Sequence, residues 1–203
     1  MREDLAEEGE TASLNRAAHK PAHETSGVAS LLERDYLALE TETKWVTDIT
    51  EIKNQQGKLS LCIVLDLYDQ RIMGWSMHNR PDRQMVIRAV QMAVWQRQGS
   101  RDVILHSDRG GQFRSGDYQA HLAANGLICS MSAVGHCGDN AACEGFFGLL
   151  KHERVYRTNY PTLDAARADV FDYIERRHSP RMRRRVARQD QKVAALLEPS
   201  VIS

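Results

Sequence analysis

The chain has 203 residues, 42% of them hydrophobic, which suits one domain with a sizeable core and some appendages. Its 27 basic and 27 acidic residues cancel, and taken whole that argues against a nucleic-acid binder. The sum hides an asymmetry, because residues 1–44 carry 5 basic and 10 acidic side chains while residues 151–203 carry 12 and 7. An acidic start and a basic end point to a polyanionic partner.

No apolar run reaches the ~18 residues that a membrane helix needs, so no membrane association is expected. Met1-Arg2-Glu3-Asp4 is too polar to open a signal peptide. Cys62, Cys129, Cys137 and Cys143 form no Cys-x-x-Cys pair and fit neither a zinc ribbon nor a small disulfide scaffold. His136-Cys137 with Cys129 lacks a fourth metal ligand. Reduced thiols of a cytosolic protein are the expectation.

Residues 1–29 are polar and without periodicity, and read as poorly ordered. Leu31-Leu32 and Tyr36-Leu37 suit a short lead-in helix, so residues 1–44 form an acidic N-terminal segment. From Trp45 the texture changes. Residues 45–53 alternate as a strand, 54–57 (Asn-Gln-Gln-Gly) turn, and 58–67 (KLSLCIVLDL) read as a central strand. Residues 71–78 give a third strand, and the short turns make the three an antiparallel meander. Pro81 is placed to open a helix that runs to about Arg97 and stops at Gly99. A short buried strand covers 102–106. A helix capped by Ser115 follows and ends at Gly126, and 127–131 is a fifth strand. Residues 133–139 are a loop. Helices are expected over 140–154, with Asp139 or Asn140 as cap, and over 162–177. This order implies an α/β fold, with one mixed five-stranded sheet (three antiparallel strands, then parallel additions) flanked by helices.

Three carboxylates stand out. Asp48 interrupts an apolar strand, sharing a face with Val46 and Thr50. A carboxylate there is costly unless it is exposed, paired or bound to metal. Asp108 follows a strand and precedes Gly110-Gly111, where ligand sites gather in sheets with crossovers, although Asp-Arg-Gly-Gly is also good turn chemistry. Glu144 lies in the first turn of its helix, where an acid also gains from the helix dipole. Lys151, seven residues on, returns to nearly the same helix face. Taken singly, each has an ordinary structural explanation. Asp66 and Asp69 also sit at a strand end and read as turn residues.

Together the segments WVTDIT (45–50), HSDRGGQF (106–113) and DNAACEGFFGLLKHE (139–153), with 35 residues between Asp108 and Glu144, resemble the orfB-type transposases of the IS3 family. These carry the DDE integrase catalytic core of the retroviral-integrase-like superfamily. The resemblance runs from about Leu31 to Pro180. It implies an RNase H-like fold over 45–178, with Asp48, Asp108 and Glu144 as catalytic triad and metal ligands, and with Lys151 on DNA near the reacting end. It also implies two Mg²⁺ ions, with Mn²⁺ able to substitute, in a polynucleotidyl transfer that cuts DNA 3′ ends and joins them to target. His106, Arg109, Gln112 and Asn140 are near-site candidates for phosphate or metal-bound water, and each equally suits a structural hydrogen bond.

Arg181, Arg183, Arg184 and Arg185 lie in the densest basic run, within a C-terminal tail at 179–203, and suit phosphate-backbone contact. The resemblance further implies transposon-end and target DNA as partners, a homo-oligomer at synapsis, and a bacterial, cytoplasmic, nucleoid-associated setting. Relatives usually carry helix-turn-helix segments ahead of the core, and residues 1–44 offer none. An upstream-frame helix-turn-helix protein is therefore an expected partner, and a catalytically silent regulator that binds DNA or transposase is the competing reading.

Overall fold

The computed structural model describes residues 38–99, 102–132 and 140–197. The expectations for residues 1–29, for most of the lead-in helix, for the loop at 133–139, and for Asp139, His136 and Cys137 lie outside them. Residues 38–43, the described end of the lead-in segment, are irregular rather than helical.

Alternating side chains build β1 (Lys44–Asn54), and β2 (Gly57–Asp66) is buried along most of its length. Gly57 sits at φ 133°, which only glycine adopts without strain, and closes the turn between them. β3 (Ile72–His78) completes the antiparallel meander. β4 (Val103–Ser107) then pairs parallel with β1, and β5 (Leu127–Met131) pairs parallel with β4. The sheet order is β3-β2-β1-β4-β5, so β1 lies at the centre.

Helices cover both faces. α1 (Arg83–Gln96) and α2 (Gly116–Ala124) close one face over Trp45, Cys62, Val64, Met73 and Leu105. α3 (Ala141–Glu153) and α4 (Leu163–Asp172) close the other over Val46, Leu61, Ile63 and Leu65. Strand alternation fixes this split, because Val46 and Asp48 point towards α3 while Trp45 and Thr47 point away. None of the described helices is long and apolar enough to cross a membrane. Cys62, Cys129 and Cys143 are free thiols.

Several sequence expectations need correction. Pro81 does not begin α1; Asp82 caps it, accepting from the Met85 N–H at 2.7 Å. A free-standing acceptor beats a proline at N1 here because it satisfies an otherwise orphaned N–H. Asp66 is more than a turn residue: it is fully buried and accepts from Trp45 Nε1 (3.1 Å), Glu42 N (2.7 Å) and Tyr68 N (2.8 Å). Burial pushes its carboxyl above the usual range, while the Glu42 N–H pulls it down. Asp69 is buried as well and binds the Arg71 guanidinium.

The helix expected to stop at Arg177 does not stop there. α4 continues through a π-helical stretch (Tyr173–His178) into α5 (Ser179–Leu197). Pro180 lies just inside α5, and a proline normally breaks a helix by clashing one turn back. The wider π turn before it relieves that clash. The same stretch turns His178 into the core, edge-on to Phe146 at 4.8 Å. Burial, and then Arg181, push this imidazole down to about 4, with Glu153 opposing.

Candidate active site

β1 and β4 bring the first two carboxylates together. Their rungs pair Lys44 with Ile104, Trp45 with Leu105 and Val46 with His106, a constant offset of 60. Carried two residues further, the same offset sets Asp108 across from Asp48, just beyond the last residue of β4. Asp108 is exposed, and its Oδ1 accepts from the Gly110 N–H at 2.8 Å. Gly110 has a steric reason to be glycine: a Cβ there would stand 2.9 Å from Asp108 Oδ1 and 3.1 Å from Gln112 Oε1. Gly110→Ala should therefore swing the Asp108 carboxylate. We expect divalent-ion affinity to fall about tenfold, roughly 1.4 kcal/mol, in a calorimetric titration, with the thermal midpoint little changed. An unaltered affinity would mean that the turn has no hold on Asp108.

α3 brings the third carboxylate. Cys143, Phe146, Phe147 and Leu150 form its buried stripe. Glu144 and Lys151 flank that stripe on one side, about 20° apart around the helix axis at 3.6 residues per turn. Asn140 stands at the N-cap position but does not cap. Its Nδ2 donates instead to the Thr47 carbonyl at 3.3 Å, one residue before Asp48 and beyond the last β1–β4 rung. This bond ties the start of the Glu144 helix to the Asp48 strand.

Electrostatics report the convergence. Burial pushes the Asp48 carboxyl up to about 6. The Ile49 N–H opposes that rise, Asp108 and Glu144 add to it, and Lys151 lowers it. All three other charged groups thus act on Asp48. The donor set is three carboxylates, the hard oxygen chemistry that Mg²⁺ and Mn²⁺ prefer. Among the described residues, however, no three His, Cys, Asp or Glu side chains stand close enough to enclose one ion. The acids are electrically coupled but do not form a closed cage.

The remaining candidates are placed as follows. Arg109 Nε donates to the Ser132 carbonyl at 2.7 Å, and Gln112 Nε2 donates to the Pro81 carbonyl at 2.9 Å. His106 is buried between Ser130 Oγ (2.9 Å from Nδ1) and Ser132 Oγ (3.0 Å from Nε2). Arg181 lies 3.7 Å from Glu153, Arg185 donates to Gln70 Oε1 at 3.1 Å, and Arg183 and Arg184 are exposed on α5.

Sequence reasoning missed Ser132. Its N–H donates to the Ser107 carbonyl, its hydroxyl meets His106, and its carbonyl takes Arg109, so it braces the chain on both sides of Asp108. The available signal was a serine on either side of Met131, at the end of a strand, but its meaning depends on the His106–Ser130 register.

Comparison with known proteins agrees with this architecture. The integrase core domain family matches residues 39–137, and a second integrase core domain family matches residues 144–182. Two solved structures share the fold: the HTLV-2 integrase catalytic core domain in complex with magnesium, and the catalytic domain of Mos1 mariner transposase. The first has a TM-score of 0.52 at 16% identity, covering 68% of this chain and 90% of that one. The second has a TM-score of 0.55 at 11% identity, covering 66% and 70%. The chain therefore has the RNase H-like fold of integrase-type catalytic domains.

Sequence relatives narrow the class. The transposase InsF for insertion sequence IS3A of Escherichia coli (strain K12) is 44% identical over 164 residues, 78% of this chain and 57% of that protein. An uncharacterized transposase-like protein of Haemophilus influenzae is 38% identical over 145 residues, 71% of this chain and 67% of its own. The chain belongs to the IS3-family transposases, and it spans a little over half the length of the InsF relatives.

Proposed function

We propose that this chain carries the catalytic core of a transposase that cuts DNA at the 3′ ends of a mobile element and joins them to target DNA. The observation that supports this most is the β1–β4 register, which sets Asp108 across from Asp48 just past the last rung, with Glu144 and Lys151 of α3 near enough to act on the Asp48 charge. In this reading the three carboxylates would hold two Mg²⁺ ions, or Mn²⁺ in their place, once Glu144 closes on the other two. Such ions, when bound, activate an attacking water or 3′-hydroxyl and stabilise the departing 3′ oxygen. Phosphorus gains a bond to the attacking oxygen and loses the bond to the leaving 3′ oxygen, which takes up a proton. No covalent link to the protein forms.

The chain's own groups have separable tasks. Asp48 is half-buried and fixed by the Ile49 N–H (2.7 Å), so it is the rigid member of the set. Glu144 is exposed on a helix end and is the member that can move to close the cage. Lys151, on the same flank of α3, offers a cation to the phosphate beside the scissile bond. Arg109, Gln112 and Asn140 act mainly by fixing the loops around the acids, since each already holds a backbone carbonyl. Arg181, Arg183, Arg184 and Arg185 offer charge to the DNA backbone. Transposon ends, target DNA and further copies of the chain are the proposed partners in a bacterial cytoplasm, with a helix-turn-helix segment or protein recognising the ends.

An oligonucleotide strand-transfer assay in Mg²⁺ or Mn²⁺ tests the reading. Wild type should give joined product, and Glu144→Gln should give none while still binding DNA. DNA binding without product from wild type, in conditions where a full-length relative joins ends, would instead favour a silent regulator. Lys151→Ala should weaken DNA binding about tenfold, the effect of roughly 1.4 kcal/mol, and leave metal affinity unchanged. Equal loss of both would remove Lys151 from its assigned place.

A further inference from the structure

α3 has an outer face that the catalytic reading leaves unexplained. Counting about 100° per residue from Glu144, Lys151 lies near −20°, Gly148 near 40°, Ala141 near 60°, Gly145 near 100° and Leu149 near 140°. A low ridge of Ala141, Gly145 and Gly148 therefore separates the Glu144–Lys151 flank from the opposite flank. Glycine weakens a helix interior, and nothing in the chain's own packing asks for it here. A Cβ at Gly145 or at Gly148 would meet nothing within 4 Å.

Beyond the ridge lies a cleft of about 380 Å³ between α3 and α5. That is at the small end of ligand pockets, which run from ~300 to ~1,000 Å³. Gly145, Phe146 and Leu149 line one side, and His178, Arg181 and Arg185 the other. Leu149 is 43% exposed there. His178 supplies an independent sign of a ligand: it is only 5% exposed, it lines the cleft, and its Nδ1 is buried without a hydrogen-bond partner. Such an orphaned polar atom is costly unless something fills the site.

We propose that a single DNA strand leaving the carboxylates crosses α3 over Gly145 and Gly148 and seats one nucleotide in this cleft. Arg185 turns from Gln70, and Arg181 from Glu153, to take its phosphate, Leu149 lies under the base, and a turn of the His178 ring brings its unpartnered Nδ1 to the nucleotide. The ridge lets a sugar–phosphate backbone approach the helix closely. The cleft has room for one nucleotide and not for a paired duplex, so it selects an unpaired or frayed strand. The inference rests on the transposase reading for its choice of DNA, and the cleft's cations agree with the basic balance of residues 151–203, 12 basic against 7 acidic.

The test uses the full chain in metal-free buffer, with fluorescein-labelled oligothymidylate and a duplex of equal length as probes. Gly145→Leu raises the ridge at a position with open space, so the fold should stand, and circular dichroism checks that. We expect it to weaken oligothymidylate binding about tenfold, as loss of one base contact would, and duplex binding by less than about twofold. Iodouracil-substituted oligothymidylate should cross-link within residues 141–149 or 178–185. Unchanged single-strand affinity in Gly145→Leu overturns the proposal, and so do cross-links confined elsewhere. Failure of the catalytic reading would look different: no joined product, with the Gly145→Leu binding defect still present.

Discussion

Gly74→Ala is expected to cost a large share of the protein's stability, the largest such effect of any single methyl group added at a glycine among the described residues. Gly74 lies mid-β3, opposite Val64 of β2, where α1 packs down on the sheet. An added Cβ would stand 2.1 Å from the Ala89 carbonyl oxygen and 2.6 Å from the Ala93 nitrogen. Both are helix backbone atoms, so no side chain can rotate away, and α1 must lift from β3. Ordinary overpacking costs ~1–3 kcal/mol; moving a whole helix should cost at least about 3 kcal/mol, against a typical total of ~5–15 kcal/mol. Urea denaturation should show a much lower midpoint with a similar slope. Gly148→Ala is the control, since its Cβ meets open space and it should gain about 0.5–1 kcal/mol. A Gly74→Ala midpoint within experimental error of wild type would mean that α1 does not rest on β3 backbone to backbone.

That contrast marks where sequence stops being informative. The strands and helices were legible because β1 and β2 are β-branched and apolar runs on either side of a turn at Gly57, and because apolar side chains keep a helical period in α1. The three acids were legible as a set, through the order and spacing of the motifs around them. Gly74 was not, because Arg-Ile-Met-Gly-Trp reads as any strand, and only the pairing of β3 with α1 gives the glycine a neighbour. Ser132 was hidden, and the partner of Asn140 with it, for the same reason: each acts through a partner more than 20 residues away in the chain. The expected end of the last helix at Arg177 was wrong because a π turn over Tyr173–His178 carries the helix on past Pro180, which sequence does not signal. Asp66 looked like a turn acid because its partner, the Trp45 indole, sits on another strand.

Asp48→Asn should move stability and activity in opposite directions. In the metal-free fold burial raises the Asp48 carboxyl from 3.8 to about 6, with Asp108 and Glu144 adding to the rise. An acid whose folded pKa lies above its unfolded one holds more protons folded than unfolded between those two values. Its charge therefore costs stability progressively as pH rises from about 4 to about 6, and the cost is complete above that window. Asparagine keeps an oxygen for the Ile49 N–H and never carries the charge. At neutral pH the metal-free variant should be more stable than wild type by about 1–2 kcal/mol, raising the thermal midpoint by several degrees. The gain should vanish below about pH 4. Divalent ions should narrow the difference from the other side by stabilising wild type, because they bind the charged site and not its neutralised form. Strand transfer should fall below about one-thousandth, the effect of losing several kcal/mol of transition-state charge stabilisation. Thermal melts from pH 3.5 to pH 8, with and without Mg²⁺, give the stability half of the result, and the joining assay gives the other. If the variant melts below wild type at neutral pH without metal, the bonds that hold the Asp48 carboxylate outweigh its burial and the repulsion from Asp108 and Glu144.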